Sequence, residues 1–552
     1  MKTFRNSVRG GLVLLVCVVS FGAFGLNSST MAIGVWGIAT RAEFADGVQA
    51  SRSNAYFVSV SCASAGHCTA VGRFKNVGGN YEAFTMTSTD GVWGQGTPAV
   101  FADGVANTDE PQAIFESVSC ASAGHCTAVG RFKNVGGNYE AFTMTSTDGV
   151  WGQGTPAVFA DGVANTDEPQ AIFESVSCAS AGHCTAVGKF RDESGSYQAF
   201  AMTSTDGVWG QGTPVVFADG LQGSWKEDSF SSVSCASTGD CTAVGYFTDG
   251  SENTISFTMT STDGVWGQGT PAVFADGVLS SDPIHSFESV SCASAGHCTA
   301  VGQFRNVDNG YEAFTMTSTD GEWGQATPAV FADGVQNEDP KAAFYSVSCA
   351  SAGHCTAVGR FKNVGGNFEA FTMTSTDGVW GQGTPAEFAD GVQGEYKGGS
   401  FYSVSCSSVG NCSAVGYFAN VDEDYEALTM TSTNGVWGQA TPVVFADGVQ
   451  GGPNAESLSV SCGSVGNCAA VGFFTDVDSN NEAFTMMSTY TPPAETTTTV
   501  AATTTTVAAT TTTVVAAALL PATGSDSNGW LVAAVCAVIT GTVLITRHRR
   551  IN

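Results

Sequence analysis

The chain has 552 residues, with 50 Asp and Glu against 20 Lys and Arg, and a formal charge of −30 at pH 7. Such a surface repels nucleic acid and anionic lipid, because binding phosphates takes clustered Lys and Arg. It suits a soluble extracellular protein, or one that meets cations or basic patches.

At the N-terminus Lys2, Arg5 and Arg9 precede an apolar run at residues 12–24, followed by small residues with Thr30 and Ala32 where a signal peptidase reads. The run is short for a membrane span, and polar residues 27–30 follow it. Residues 1–32 are therefore expected to be a signal peptide, with a retained anchor as the alternative.

Residues 33–490 repeat with a period of 56 to 58, and residues 59–116 and 117–174 are identical letter for letter. Within one unit, residues 115–120 alternate apolar and small polar side chains as a half-buried strand does. A Ser- and Gly-rich turn at 121–125, a strand at 126–132, a turn at 134–138 and a strand at 140–146 follow. Thr147-Asp148-Gly149 then turns the chain into Val150-Trp151 and a fourth strand running toward Phe159. Four strands with tight turns and no helical period match one blade of a β-propeller.

The Cys-bearing half-unit occurs eight times, and the Trp-bearing half occurs eight times, at Trp36, Trp93, Trp151, Trp209, Trp266, Trp323, Trp380 and Trp437. The chain nevertheless starts on a lone Trp half (34–48) and ends on a lone Cys half (459–490). A ring joins the two leftovers and hides both sheet edges, whereas a solenoid leaves them open. The expected fold is all-β, an eight-bladed β-propeller closed by the N-terminal strand. A solenoid or two smaller rings are the alternatives. The overlap resembles the closure of WD40-type propellers in architecture, not in sequence.

Of 18 cysteines, Cys17 and Cys536 lie in the terminal segments. The other sixteen form eight C-x5-C spacings: Cys62 and Cys68, Cys120 and Cys126, Cys178 and Cys184, Cys235 and Cys241, Cys292 and Cys298, Cys349 and Cys355, Cys406 and Cys412, Cys462 and Cys468. An even set in an exported chain reads as disulfides, each Cys with its partner six residues on. Zinc competes, because His67, His125, His183, His297 and His354 precede the second Cys. Asp240, Asn411 and Asn467 take that place elsewhere, however, and a fourth ligand is lacking.

Ser88-Thr89-Asp90-Gly91-Val92-Trp93 and its copies resemble the Asp-box hairpin of sialidase-like propellers, in a shortened form and with Asn434 for Asp in one copy. The resemblance implies a structural role, with the carboxylate accepting turn amides and Trp packing on the sheet. The repeat is also similar to those of exported actinobacterial proteins, which implies a lineage and no activity.

No catalytic constellation emerges, and no enzymatic activity is expected. A glycosidase needs two carboxylates in distinct environments. Arg73, Arg131, Arg191, Arg305 and Arg360 follow the second strand, but Lys189, Gln303, Tyr246, Tyr417 and Phe473 interrupt any arginine triad. Asp103 and Asp161 of the FADG motif read as turn formers. The one cofactor candidate is calcium. Asp476, Asp478, Asn480 and Glu482 alternate along a turn as oxygen ligands would, and Asp422 with Asp424 does so less completely; a solvated acidic hairpin is the alternative. The connections after each FADG differ among units, and Trp225 and Tyr396 on them are the candidate ligand-face residues, against simple loop drift.

Residues 491–518 are a Thr-rich linker without aromatic residues, expected to act as a wall-spanning stalk. In residues 519–552, Leu520-Pro521-Ala522-Thr523-Gly524 is followed by an apolar segment at 530–545 and by Arg547, His548, Arg549 and Arg550. This resembles the LPxTG sorting signal of Gram-positive surface proteins. The resemblance implies that a transmembrane helix holds the chain in the bilayer only until a sortase cleaves after Thr523 and joins it to peptidoglycan. A plain single-span anchor is the alternative. The expected protein is extracellular and cell-wall-anchored, a binding or adhesion protein for an unidentified glycan or protein. A sialidase-like hydrolase and a passive surface-layer spacer are the alternatives.

Overall fold

The computed structural model describes residues 34–489, apart from 51–53, 108–109, 111, 166–167, 225, 340, 447–448 and the side chain of Pro453. The signal peptide, the Thr-rich linker, the LPATG segment and Trp225 lie outside the described residues.

In the first repeat Tyr56–Ser64, His67–Lys75 and Tyr81–Thr89 form three antiparallel strands, and Val92–Trp93 and Thr97–Pro98 both pair with the third. The pattern recurs eight times, giving an all-β, eight-bladed β-propeller. The fourth strand is broken where a continuous one is expected. Its break carries Gly94-Gln95-Gly96, and a Cβ on Gly96 would come within 2.7 Å of the Phe44 ring.

That ring explains the FADG motif. Phe44 lies 4.6 Å from Phe74 and 4.9 Å from Phe84, in the core of the blade that follows it. Phe101 sits the same way on Phe132 and Phe142, and Phe445 on Phe474 and Phe484. Each connection thus plugs an aromatic ring into the next blade. The Asp beside it takes an exposed turn closed by Val48 N–H donating to Ala45 O at 3.2 Å.

The ring closes. Val35–Trp36 pairs with the last strand, Val35 opposite Thr489 and Trp36 opposite Ser488, and Thr40–Arg41 pairs opposite Thr485 and Phe484. Arg41 stands where the seven internal blades have Pro, for instance Pro98. Its guanidinium donates to Glu482 at 2.6 Å, and Glu482 is 1% exposed. In the first blade the matching Glu82 is held by the Asn76 amide at 2.6 Å. The last blade has Asp476 at that place, so Arg41, with Gln49 at 3.4 Å, supplies the donors that Asn76 supplies in the first blade.

The first strand of every blade is a sheet edge and faces the ring axis, next to the first strands of its neighbours. An edge strand leaves backbone N–H groups unpaired. Here the Ser-Val-Ser-Cys motif satisfies them across the blade boundary. Ser59 and Ser61 accept from Val118 N at 3.2 Å and Cys120 N at 3.0 Å. The same pair of bonds joins blade 8 to blade 1, from Val60 N to Ser459 at 3.1 Å and from Cys62 N to Ser461 at 2.9 Å. The remaining six boundaries repeat it.

Cys62 and Cys68 are directly opposed in the ladder and bonded, as are all eight pairs, with Cα atoms 3.9 to 4.0 Å apart. Eight disulfides in one chain belong to an oxidising, extracellular setting. The turn histidines are not zinc ligands: His67 Nε2 lies 3.4 Å from Asp90, and four further blades repeat the pair.

Removing one partner of a buried ion pair leaves an uncompensated charge. Arg41 is half exposed, which lowers the cost to about 1–3 kcal/mol. Arg41→Ala is therefore expected to lower the thermal unfolding midpoint by calorimetry, whereas an exposed change, Glu193→Ala, leaves it in place.

Candidate ligand-binding site at the axial mouth

One residue per blade is extra. The register of the first strand slips between Phe57 and Ser59, so Val58 has no partner, and the other seven blades carry the same β-bulge. The glycine of each Ala-Val-Gly makes room for it. A Cβ on Gly72 would lie 1.9 Å from Tyr56 O, and on Gly130 2.0 Å from Ile114 O. Bulges re-aim side chains. In blades 1 to 8 the bulged residues are Val58, Glu116, Glu174, Ser231, Glu288, Tyr345, Tyr402 and Leu458. Those of neighbouring blades meet: the rings of Tyr345 and Tyr402 are 6.0 Å apart.

Beside each bulge, near the end of the second strand, stand Arg73, Arg131, Lys189, Tyr246, Gln303, Arg360, Tyr417 and Phe473 in blade order. These positions lie on the inner two strands of each blade, at the end where the variable connections enter, and are called the axial mouth below. Arg73 is sandwiched between Tyr56 and Tyr81, 5.2 Å from each ring centre. Arg131 lies 5.4 Å over Tyr139, Lys189 5.6 Å over Tyr197, and Arg360 4.5 Å over Phe368 and 5.7 Å over Tyr345. Such stacking fixes the planar guanidinium heads in place.

A tyrosine chain leaves the axis through Tyr402 and Tyr417, 5.5 Å apart, to Tyr425 at 5.1 Å. Tyr425 is hydrogen-bonded to Tyr396. Tyr396, proposed from its loop, is exposed and stands at the outer end of this chain.

The carboxylates of the mouth are desolvated. Burial, reinforced by the neighbouring Glu174, pushes the Glu116 carboxyl up to about 7. Burial also raises Glu174, Glu288 and Glu456, the last against a hydrogen bond from Tyr402. The hydroxyls of Tyr246, Tyr345, Tyr402 and Tyr417 are raised as well, again by burial first.

The other expected sites fare differently. Asp476 accepts from the backbone N–H groups of Asp478 at 2.9 Å and Asn480 at 2.8 Å, while Glu482 is paired with Arg41. Those residues thus take part in a capped turn and a closure ion pair, and among the described residues no group of three or more His, Cys, Asp or Glu is placed to hold a metal. Asp90 does not accept turn amides. It adopts φ 51° before Gly91 at φ 81°, so the Asp-Gly pair is chosen for a left-handed two-residue turn, and the carboxylate is 87% exposed. His285, on another variable connection, is buried, with Nδ1 accepting from Ser256 N at 3.0 Å.

Arg73, Arg131, Lys189 and Arg360 were visible in the sequence but looked like a broken triad. The bulged residues were missed. Their signal was that they change from blade to blade inside an otherwise constant strand.

No family model matches the chain, and no curated protein matches it. Solved structures similar to it include a protein of unknown function from Dyadobacter fermentans, at 12% identity over 71% of this chain and 97% of that one, TM-score 0.36. A Hadza microbial sialidase is 11% identical over 74% and 73%, TM-score 0.34. An ulvan lyase of a polysaccharide lyase family is 9% identical over 83% and 95%, TM-score 0.36. Fold and mouth define the class: a disulfide-stapled, eight-bladed propeller with a non-repeated axial mouth.

The raised carboxyls set a pH dependence. Glu116 titrates near 4.5 when unfolded and near 7 when folded, so its ionisation opposes folding. The stability it contributes is complete below pH 4.5 and lost as pH rises toward 7. Glu116→Gln is expected to raise the thermal midpoint at pH 8 and leave it unchanged at pH 4; equal effects at both pH values would contradict the assignment.

Proposed function

We propose that the chain is a cell-wall-anchored, extracellular recognition protein that binds a glycan at the axial mouth. The observation that carries the reading is where the repeat breaks: backbone, disulfides and cores are copied blade to blade, while the mouth positions vary. Tyr345 and Tyr402 offer flat faces to a sugar ring, and Arg and Glu side chains beside them offer donors and acceptors for its hydroxyls. Tyr402→Ala is expected to weaken binding to an immobilised glycan panel about tenfold or more at a temperature where the variant is still fully folded by calorimetry. Binding untouched by that change, and by Arg131→Gln, would remove the mouth from the account.

A hydrolytic reading has one observation behind it, the neighbouring Glu116 and Glu174 with raised carboxyls. Turnover of a bound glycan that disappears in Glu116→Gln would favour it over binding alone.

The anchoring half rests on Leu520-Pro521-Ala522-Thr523-Gly524 with its apolar and basic sequel. In cells, wall digestion is expected to release the wild-type protein, whereas Thr523→Ala keeps it in the detergent-soluble membrane fraction. Identical fractionation of the two would leave a plain membrane anchor.

A further inference from the structure

The charges around the mouth are unevenly distributed. Blades 1 to 3 bring Arg73, Arg131 and Lys189 against two carboxylates, Glu116 and Glu174. Four blades further round the ring stand the faces of Tyr345 and Tyr402.

Several cations elsewhere on the described surface are neutralised. Arg41, Lys133, Arg191 and Lys362 each hold a carboxylate, at 2.6, 2.9, 2.7 and 3.1 Å. Arg73, Arg131 and Lys189 are absent from the ion pairs of the described residues, although Glu116 and Glu174 are their neighbours. Their heads are held over tyrosine rings instead, and the Nε atoms of Arg73 and Arg131 are buried without a hydrogen-bond partner. A buried donor without an acceptor is costly, and a fixed guanidinium matches a bidentate anion. On a chain of formal charge −30, this is a local surplus of positive charge beside two largely buried carboxylates.

We infer that the mouth takes an acidic oligosaccharide, its carboxylate or sulfate seated among Arg73, Arg131 and Lys189 and a neighbouring sugar ring laid on Tyr345 and Tyr402. This rests on the glycan-binding reading and adds the ligand's charge to it. Neutral glycans offer these cations only hydroxyls, and a cationic ligand would meet them as repulsion.

The test is calorimetric titration of the intact chain with three oligosaccharides of one backbone: neutral, uronate-bearing and sulfated. Either acidic form is expected to bind about tenfold or more tightly than the neutral one, with affinity falling as salt rises. Arg131→Gln and, separately, Lys189→Gln are expected to erase that preference, lowering the affinity for both acidic forms about tenfold or more, to that of the same variant for the neutral form. Tyr402→Ala weakens all three. If Arg131→Gln unfolds, Lys189→Gln and the salt dependence of the wild type still decide. Neutral and acidic forms binding alike, with Tyr402→Ala still harmful, would overturn the inference and spare the glycan reading. Binding that no mouth variant alters would overturn both.

Discussion

An edge strand at the axis of a ring faces a problem that its own sheet cannot solve. Its outward N–H groups have no ladder partner, and neighbouring blades are too strongly twisted against one another to share one. In this chain the serines of Ser-Val-Ser-Cys solve it, two to a boundary, by accepting from the Val and Cys amides of the next blade. The bonds run in one direction round the ring, so each blade depends on its predecessor and the first depends on the eighth. An open array would leave Val60 and Cys62 uncapped at one end and Ser459 and Ser461 without donors at the other. The aromatic plug from each connection, such as Phe44 against Phe74 and Phe84, ties the same neighbours together further out.

With that scaffold copied in every blade, one position is released for variation. The bulge adds a residue that pairs with nothing, and the glycine of Ala-Val-Gly lets the backbone approach closely enough to admit it. Whatever occupies the bulge is aimed at the mouth without disturbing the core beneath. The chain uses Glu, Tyr, Ser, Val and Leu there, while Phe57, Phe74 and Phe84 and their counterparts scarcely change. Stability and recognition are therefore carried by different residues of the same strands.

Much of the architecture was legible in the sequence because it is arithmetic. A spare Trp segment at the start and a short module at the end imply a closed ring, and Val35 does lie opposite Thr489. Two cysteines six residues apart across a tight turn fall opposite one another, as Cys62 and Cys68 do. The mouth was not legible, because alternation of period two cannot register an inserted residue, and each position beyond a bulge is read onto the wrong face. Asp90 was misread for a related reason: its conserved-looking carboxylate suggested an acceptor, whereas its backbone is what the turn requires. The ion pair of Glu482 was not legible either, because Arg41, far away in sequence, is its neighbour in the ring.

Amide hydrogen exchange resolved to Val60 and Cys62 tests the closed serine ring most directly. If blade 8 caps blade 1, these two amides are protected to the same degree as Val118 and Cys120, which sit at an internal boundary. Exchange at the rate of a free strand edge for Val60 and Cys62, with Val118 and Cys120 still protected, would show that the ring is open.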